Sequence, residues 1–328
     1  MNGRPGMRAV VTGAAGFIGS TVAERLVADG HDVVGVDCLT PYYDVVAKRS
    51  NLDGLLDSAG FTFIDADLRD CDVEGLLEGA DVVFHLAGQP GVRLSWADGF
   101  GDYAGHNILA TQRLLEAAKR RWVKRVVYAS SSSVYGNAPS YPTAEDASLR
   151  PHSPYGVTKL AAEHLCTLYA DNWGLSTVSL RYFTVYGPRQ RPDMAMHRLI
   201  DAALSGQPFP LFGNGQQVRD FTFVDDVARA TILAGSTDVP AGSVLNIAGG
   251  SSTTMVDLIQ EVASACGRSL EVRVTPAQPG DVERTGGSTA LALELLGWRP
   301  LTDLSTGIAR QVEWHRTRMA SDTLIRTA

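Results

Sequence analysis

Through the first 185 residues, short apolar runs rich in valine alternate with amphipathic stretches, the pattern of strands and crossover helices that builds a parallel sheet. The runs predict strands over 8–13, 32–37, 61–67, 80–87, 125–131 and 176–183. Between the first two, Ile18, Val22 and Leu26 recur every four residues, so a helix there can dock one face on the sheet while Glu24, Arg25 and Asp29 face water. This half predicts a doubly wound α/β domain.

After Tyr186 the texture breaks up, with Gly187-Pro188, Arg191-Pro192, Gly206-Gln207-Pro208 and Gly213-Asn214-Gly215 cutting the chain into short pieces. A smaller C-terminal α/β lobe is expected over 186–328, with 220–236 and a strand at 244–248 returning to the first domain, 1–185. Helices are expected over 254–266 and 288–297. Thr254 with Asp257 three residues on resembles a capping box at the start of the former.

Composition narrows the function classes. Twenty-nine Lys and Arg against 36 Asp and Glu give a net charge of −7, so no basic excess is available for a nucleic-acid backbone. Any phosphate must be held by a few placed arginines and backbone amides. Cys38, Cys71, Cys166 and Cys266 are scattered, with no zinc or disulfide spacing, which fits a reducing cytoplasm. The leader Met1-Asn2-Gly3-Arg4-Pro5-Gly6 has no apolar signal core, and no apolar run nears the roughly 20 residues of a membrane span. The expectation is a cytoplasmic protein without membrane or metal.

Chemistry enters at the end of the first strand. Gly13, Gly16 and Gly19 punctuate a turn, with Phe17 and Ile18 between the last two, that runs straight into the helix. Glycines let the backbone turn tightly and approach a pyrophosphate, which then meets the amides of the helix N-terminus. Asp37 closes the second strand, where a carboxylate accepts from ribose hydroxyls and repels an added 2′-phosphate. Together these features predict a Rossmann-type dinucleotide site selective for NAD over NADP.

Tyr155 and Lys159 stand four apart at the start of a helix, on one face. A phenol titrates near 10 in water, and a nearby ammonium and a positive nicotinamide ring would both favour its phenolate as general base. Such a pair is more often a surface contact, but here it follows a dinucleotide turn and a strand ending in Ser130-Ser131-Ser132-Ser133, at the carboxyl edge where ligands of such folds bind.

The glycine turn, the serines before Val134-Tyr135-Gly136, and Tyr155 with Lys159 resemble, along nearly the whole chain, the extended short-chain dehydrogenase family of nucleotide-sugar epimerases and dehydratases. The resemblance implies that Tyr155 is the catalytic base, that Lys159 lowers its pKa and holds the nicotinamide ribose, and that Ser131 bridges the sugar 4-hydroxyl. It places Asp67 and Leu68 beside the adenine, with Ala87, Gly88 and Tyr182 along the cofactor cleft, and gives Asn107 a structural role. It also implies a homodimer, with helices near 103–120 and 156–172 pairing across a two-fold axis; Leu160, His164 or Leu165, and Leu168 would form the stripe, or else belong to the core.

The reaction is narrowed by what is missing. Sugar 4,6-dehydratases of similar sequence carry Asp and Glu directly after the catalytic hydroxyl residue, and the decarboxylases a glutamate two residues before the tyrosine of that motif; here those positions are Ser132 and Ser133. Epimerisation at carbon 4 is the chemistry left. Phe183-Thr184-Val185-Tyr186-Gly187-Pro188 followed by Arg191-Pro192-Asp193-Met194 is similar to UDP-glucuronate 4-epimerases, where galactose-type enzymes have Asn after the Phe; Gly91-Val92-Arg93 and Pro41-Tyr42-Tyr43 point the same way. Substrate contacts are thus expected from Arg93, Ser131, Ser132, Ser133, Thr184 and Arg191. Gln217-Val218-Arg219-Asp220-Phe221 and Gln278-Pro279-Gly280-Asp281-Val282 resemble the family's nucleotide-diphosphate contacts, with Arg219 on phosphate and Asp281 on ribose; Thr285-Gly286-Gly287-Ser288 lacks an aspartate often found there. The competing readings are a UDP-glucose or UDP-N-acetylglucosamine 4-epimerase, a UDP-glucuronate decarboxylase, and a module that only senses NAD.

Overall fold

The computed structural model describes residues 6–277 and 280–327; the leader before Gly6, and the Gln278-Pro279 pair of the expected diphosphate motif, lie outside them. Six strands, β1 (Arg8–Thr12), β2 (Asp32–Asp37), β3 (Phe61–Asp65), β4 (Val82–His85), β5 (Arg125–Ser131) and β6 (Thr177–Tyr182), fall within the predicted runs. Together with the Ser243–Ile247 strand they make one parallel sheet, ordered Ser243–Ile247, β6, β5, β4, β1, β2, β3. The fold is Rossmann-type.

The valine runs are continuous because both faces of the sheet are covered, and their residues divide between the faces with period two. Ala9, Val11, Val33, Phe84, Val127 and Val178 point into one core with Val22 and Leu26 of the Phe17–Ala28 helix and Val227 of the Val224–Ser236 helix. Val10, Val34, Val83, Val126 and Tyr128 point into the other, against Leu114 of the Ala110–Arg120 helix and Cys166 of the Pro154–Trp173 helix. Glu24 and Arg25, expected in water, are half-buried: Glu24 meets Arg189 at 2.7 Å and Arg25 meets Asp225 at 3.4 Å, because the Val224–Ser236 helix packs beside them.

Strand order reverses between β1 and β4, where the connections leaving β1 towards β2 and β4 towards β5 run to opposite sides and open a crevice at the carboxyl edge. Beyond β6, the Phe209–Phe212 strand pairs with Val272–Thr275, and Val218–Asp220 with Ser252–Thr254. Helices Ala195–Ser205 and Met255–Cys266 pack on them, Leu304–Thr327 packs across those two helices, and Ala290–Leu296 packs on the Ser243–Ile247 strand and the Val224–Ser236 helix. Thr254 caps its helix as expected, accepting from Asp257 N at 3.0 Å. The Thr285–Ser288 segment is a lace: Gly286 O accepts from Thr143 N at 2.7 Å, and Ser288 N donates to Thr143 O at 2.8 Å.

Beneath the carboxyl end of β5 lies a buried ionic network. Arg181 Nη2 meets Glu163 Oε1 at 2.6 Å, its Nε meets Oε2 at 3.0 Å, and Ser130 Oγ donates to the same Oε2 at 2.6 Å. Arg181 Nη1 also donates to Tyr135 Oη, which donates in turn to Asn246 Oδ1 at 2.7 Å.

Candidate active site

The crevice widens into a cavity of about 850 Å³, and all the sequence-derived site residues line it: Gly13, Gly16 to Gly19, Asp37, Asp67, Leu68, Ala87, Gly88, Arg93, Ser131 to Ser133, Tyr155, Lys159, Tyr182, Thr184, Arg191, Arg219 and Asp281. Most of them converge because strands β1, β2, β4, β5 and β6 all end at one edge, and the second lobe brings Arg219 and Asp281 to it.

At the dinucleotide end, Gly13 has φ +73°, and a Cβ there would stand 2.8 Å from Ala87 N; a Cβ on Gly19 would collide with the Gly13 carbonyl. The Phe17–Ala28 helix begins on Gly16 with no side-chain cap and no acidic residue in its first turn, an arrangement open to an anion. Asp37 Oδ2 accepts from Ala15 N at 3.1 Å and Oδ1 from Leu39 N at 2.9 Å, so the carboxylate braces the turn while facing the cavity. Burial raises its pKa, against the pull of Lys48 and these amides. The set fits an adenine dinucleotide with free ribose hydroxyls.

Some residues expected along the cofactor have protein partners of their own. Asp67 is forked by Arg69 at 2.7 to 3.1 Å, which leaves its carboxylate already engaged. Tyr182 lines the cleft, but its hydroxyl bonds Thr231 at 2.7 Å on the far side. Lys48, buried between Thr40 and the ring of Tyr43, is a cavity cation that sequence reasoning missed, since a lysine on an amphipathic stretch reads as surface. Asn107 has the structural role expected of it: it accepts from Gln89 N at 2.7 Å and donates to Thr158 at 2.9 Å, tying the cleft wall to the helix that carries Tyr155.

That helix starts with Ser153 as N-cap, accepting from Gly156 N at 3.1 Å, and Pro154 in its first turn. Tyr155 therefore projects from a fixed end. Burial raises its phenol above the ordinary value; a hydrogen bond from Ser131 and the charge of Arg191 act against that. Lys159, one helical turn on, donates its ammonium to Ala129 O at 2.9 Å, and burial lowers its pKa to about 8.

At the other end, Arg93 lies over the Phe212 ring at 4.1 Å and 3.6 Å from Asp281, while Arg198 approaches the same ring at 5.9 Å. Arg219 is largely desolvated beside Asp281 and donates to Val218 O at 3.0 Å. Arg198 was not foreseen; it stands alone in sequence, with no motif around it. Three arginines here suit a diphosphate. Asp281 answers Arg93 in addition to facing the cavity. Arg191, by contrast, forks onto Asp193 at 3.0 Å through both Nε and Nη2, so its charge is balanced from within.

The model of the NAD dependent epimerase/dehydratase family matches residues 9–248. The chain belongs to the NAD-dependent epimerase/dehydratase family. Among family members, the uncharacterized UDP-glucose epimerase YtcB of Bacillus subtilis is 43% identical, over 94% of this chain and 98% of that protein. The UDP-glucuronate 4-epimerase of Thermodesulfobacterium geofontis is 38% identical, over 94% and 95%. Among solved structures, the UDP-glucuronic acid 4-epimerase from Bacillus cereus in complex with UDP-glucuronic acid and NAD superposes with a TM-score of 0.93 at 41% identity, covering 95% of this chain and all of that one. Like its relatives in this NAD-dependent family, the chain is an enzyme of the isomerase class.

Proposed function

We propose that this protein interconverts UDP-glucuronate and UDP-galacturonate by NAD-dependent epimerisation at carbon 4. The observation that carries the reading is that Tyr155, Ser131 and the hydroxyls of Ser132, Ser133 and Thr184 open onto one cavity, with no carboxyl group at positions 132 and 133. The Bacillus cereus enzyme, an NAD and UDP-glucuronic acid complex, supports it.

Gly13 to Gly19, Asp37 and Lys159 would hold NAD, which supplies a reversible hydride acceptor. Tyr155 takes the proton of the sugar 4-hydroxyl, with Ser131 bridging the two oxygens, and returns it once the 4-keto sugar has turned over. Arg93, Arg198 and Arg219 hold the diphosphate meanwhile. The 4-keto sugar acid is a β-keto acid, which loses carbon dioxide when the bond to its carboxylate stands perpendicular to the carbonyl plane, in line with the π orbital. Hydrogen bonds to a charged group contribute about 1.5 to 3 kcal/mol each, enough to favour the ring conformation that keeps that bond near the carbonyl plane. Ser132, Ser133 and Thr184 make those bonds in this reading, and Arg191 is kept from clamping the ring by Asp193.

Proton NMR of an incubation with UDP-glucuronate tests the assignment: UDP-galacturonate accumulates, little carbon dioxide is released, and UDP-glucose turns over far more slowly. Thr184→Val, which keeps shape and removes a donor, slows epimerisation about tenfold or more and raises the share of decarboxylated product. Preference for UDP-glucose by the parent would make it a neutral-sugar epimerase.

Asp37→Ala weakens NAD binding about 10- to 100-fold, by loss of a charge-assisted bond, and relaxes the bias against NADP. A titration in which cofactor preference is unchanged assigns Asp37 to bracing the turn alone. The assembly we propose is a homodimer. Of the stripe on the Pro154–Trp173 helix, His164 and Leu168 are exposed while Leu160 and Leu165 are half-buried against the core; Val157 on the same helix and Leu109 beside it, 50% and 51% exposed, widen the apolar surface. Light scattering that returns the mass of one 35.1 kDa chain at micromolar concentration rejects the pairing.

A further inference from the structure

Away from the cavity, His197 and Asp201 share one face of the Ala195–Ser205 helix, four residues apart, and His315 reaches them from the Leu304–Thr327 helix. The three side chains bring one possible ligand atom each within 4.8 Å of one another. His197 Nε2 is 3.2 Å from Asp201 Oδ2, and His315 Nδ1 is 2.8 Å from Asp201 Oδ1. Both rings are buried, their centroids 4.4 Å apart, while Asp201 is half-exposed and leaves a way in from solvent.

The hydrogen bonding of His197 decides what this cluster needs. Its Nδ1 lies 2.6 Å from the carbonyl of Gln190, which can only accept, so Nδ1 carries the hydrogen. A neutral ring then presents the lone pair of Nε2 to a carboxylate oxygen. Two lone pairs at that distance require positive charge between them. A backbone carbonyl on the outer nitrogen is also the arrangement that orients a metal-ligating imidazole.

We propose that His197, Asp201 and His315 bind one divalent transition-metal ion of the zinc class, through two imidazole nitrogens and one carboxylate, with water completing the shell. Ligands about 2.0 to 2.1 Å from a tetrahedral zinc stand roughly 3.4 Å apart, and the observed spacings need only a small rotation of the exposed Asp201 to reach this. Imidazole favours zinc and its neighbours, whereas magnesium and calcium prefer all-oxygen shells. The ion ties two helices together behind the substrate loop. Gln190, whose carbonyl orients His197, also accepts through Oε1 from His197 N and from Gln311, both at 2.9 Å, and it lines the cavity immediately before Arg191. The role is to fix that loop, with no part in the chemistry.

The test uses the full chain, freed of metal by chelator dialysis. In competition against a chromophoric chelator the parent takes up one equivalent of zinc ion, and its Tm rises by about 5 °C at a hundredfold excess over Kd; magnesium ion gives no rise. Asp201→Asn and His315→Gln, each checked for fold by circular dichroism, lose both effects. Cobalt ion on the unmodified protein gives visible bands without the ultraviolet thiolate band that a site at Cys38 would show. Zinc uptake equal in parent and Asp201→Asn, or a thiolate band with cobalt, overturns the proposal. So does a parent whose Tm follows pH but not zinc, since a proton then supplies the charge between His197 and Asp201.

Discussion

Tyr155→Phe loses between about a hundredfold and ten-thousandfold in turnover, the range of a lost general acid–base, while the fold and the affinity for NAD persist. The side chain is half-buried at the first turn of its helix and lines the cavity, so phenylalanine fills the same space and removes one oxygen. That oxygen receives the hydrogen bond of Ser131 and feels the charge of Arg191, and both favour its phenolate against burial. Because burial wins, the phenol's pKa lies above its ordinary value, and the base is the deprotonated form. Turnover of the parent therefore climbs with pH through the neutral range, and the variant's residual rate does not follow it. The kcat of both proteins across pH, with NAD affinity measured separately, checks this; a variant within a few fold of the parent would remove Tyr155 from the chemistry.

Arg181→Met costs about 3 to 5 kcal/mol of stability, the usual consequence of stranding one partner of a buried ion pair. Glu163 is 2% exposed, and without the guanidinium its carboxylate keeps only the hydroxyl of Ser130. The double variant Arg181→Met with Glu163→Leu recovers much of the loss, because an apolar pair of similar volume avoids the desolvated charge. Urea midpoints of the parent, single and double variants decide the matter; a single variant within about 1 kcal/mol of the parent would mean that water reaches Glu163. The same network holds Ser130 and Tyr135 on either side of the reactive serines, so the single variant also loses activity before it unfolds.

What could be read from the chain follows from how local each signal is. The six strands were legible because burial on both faces makes their valine runs continuous, and the glycine turn because Gly13 needs a positive φ beside Ala87. Boundaries erred by a residue or two where caps decided them, as at the Ala290–Leu296 helix. Side-chain direction was not legible. Tyr182 sends its hydroxyl to Thr231, Lys159 finds the Ala129 carbonyl, and Arg191 is answered by Asp193; each depends on a partner that packing supplies. Glu163 and Arg181, and His315 with Asp201, meet only after helices fold back over the sheet, so no spacing announces them.

The seventh strand, Ser243–Ile247, reaches the edge of β6 only after a long stretch of the second lobe has been built. On the ribosome, β6 is complete roughly 60 residues before its neighbour is made, an interval of about 3 to 12 s at ordinary elongation rates. Throughout it the strand that precedes Thr184 presents unpaired amides and carbonyls, a template for any passing chain. A truncation ending near residue 185 makes that nascent condition permanent: such a fragment, though it contains the dinucleotide turn, Tyr155 and Lys159, would aggregate when expressed.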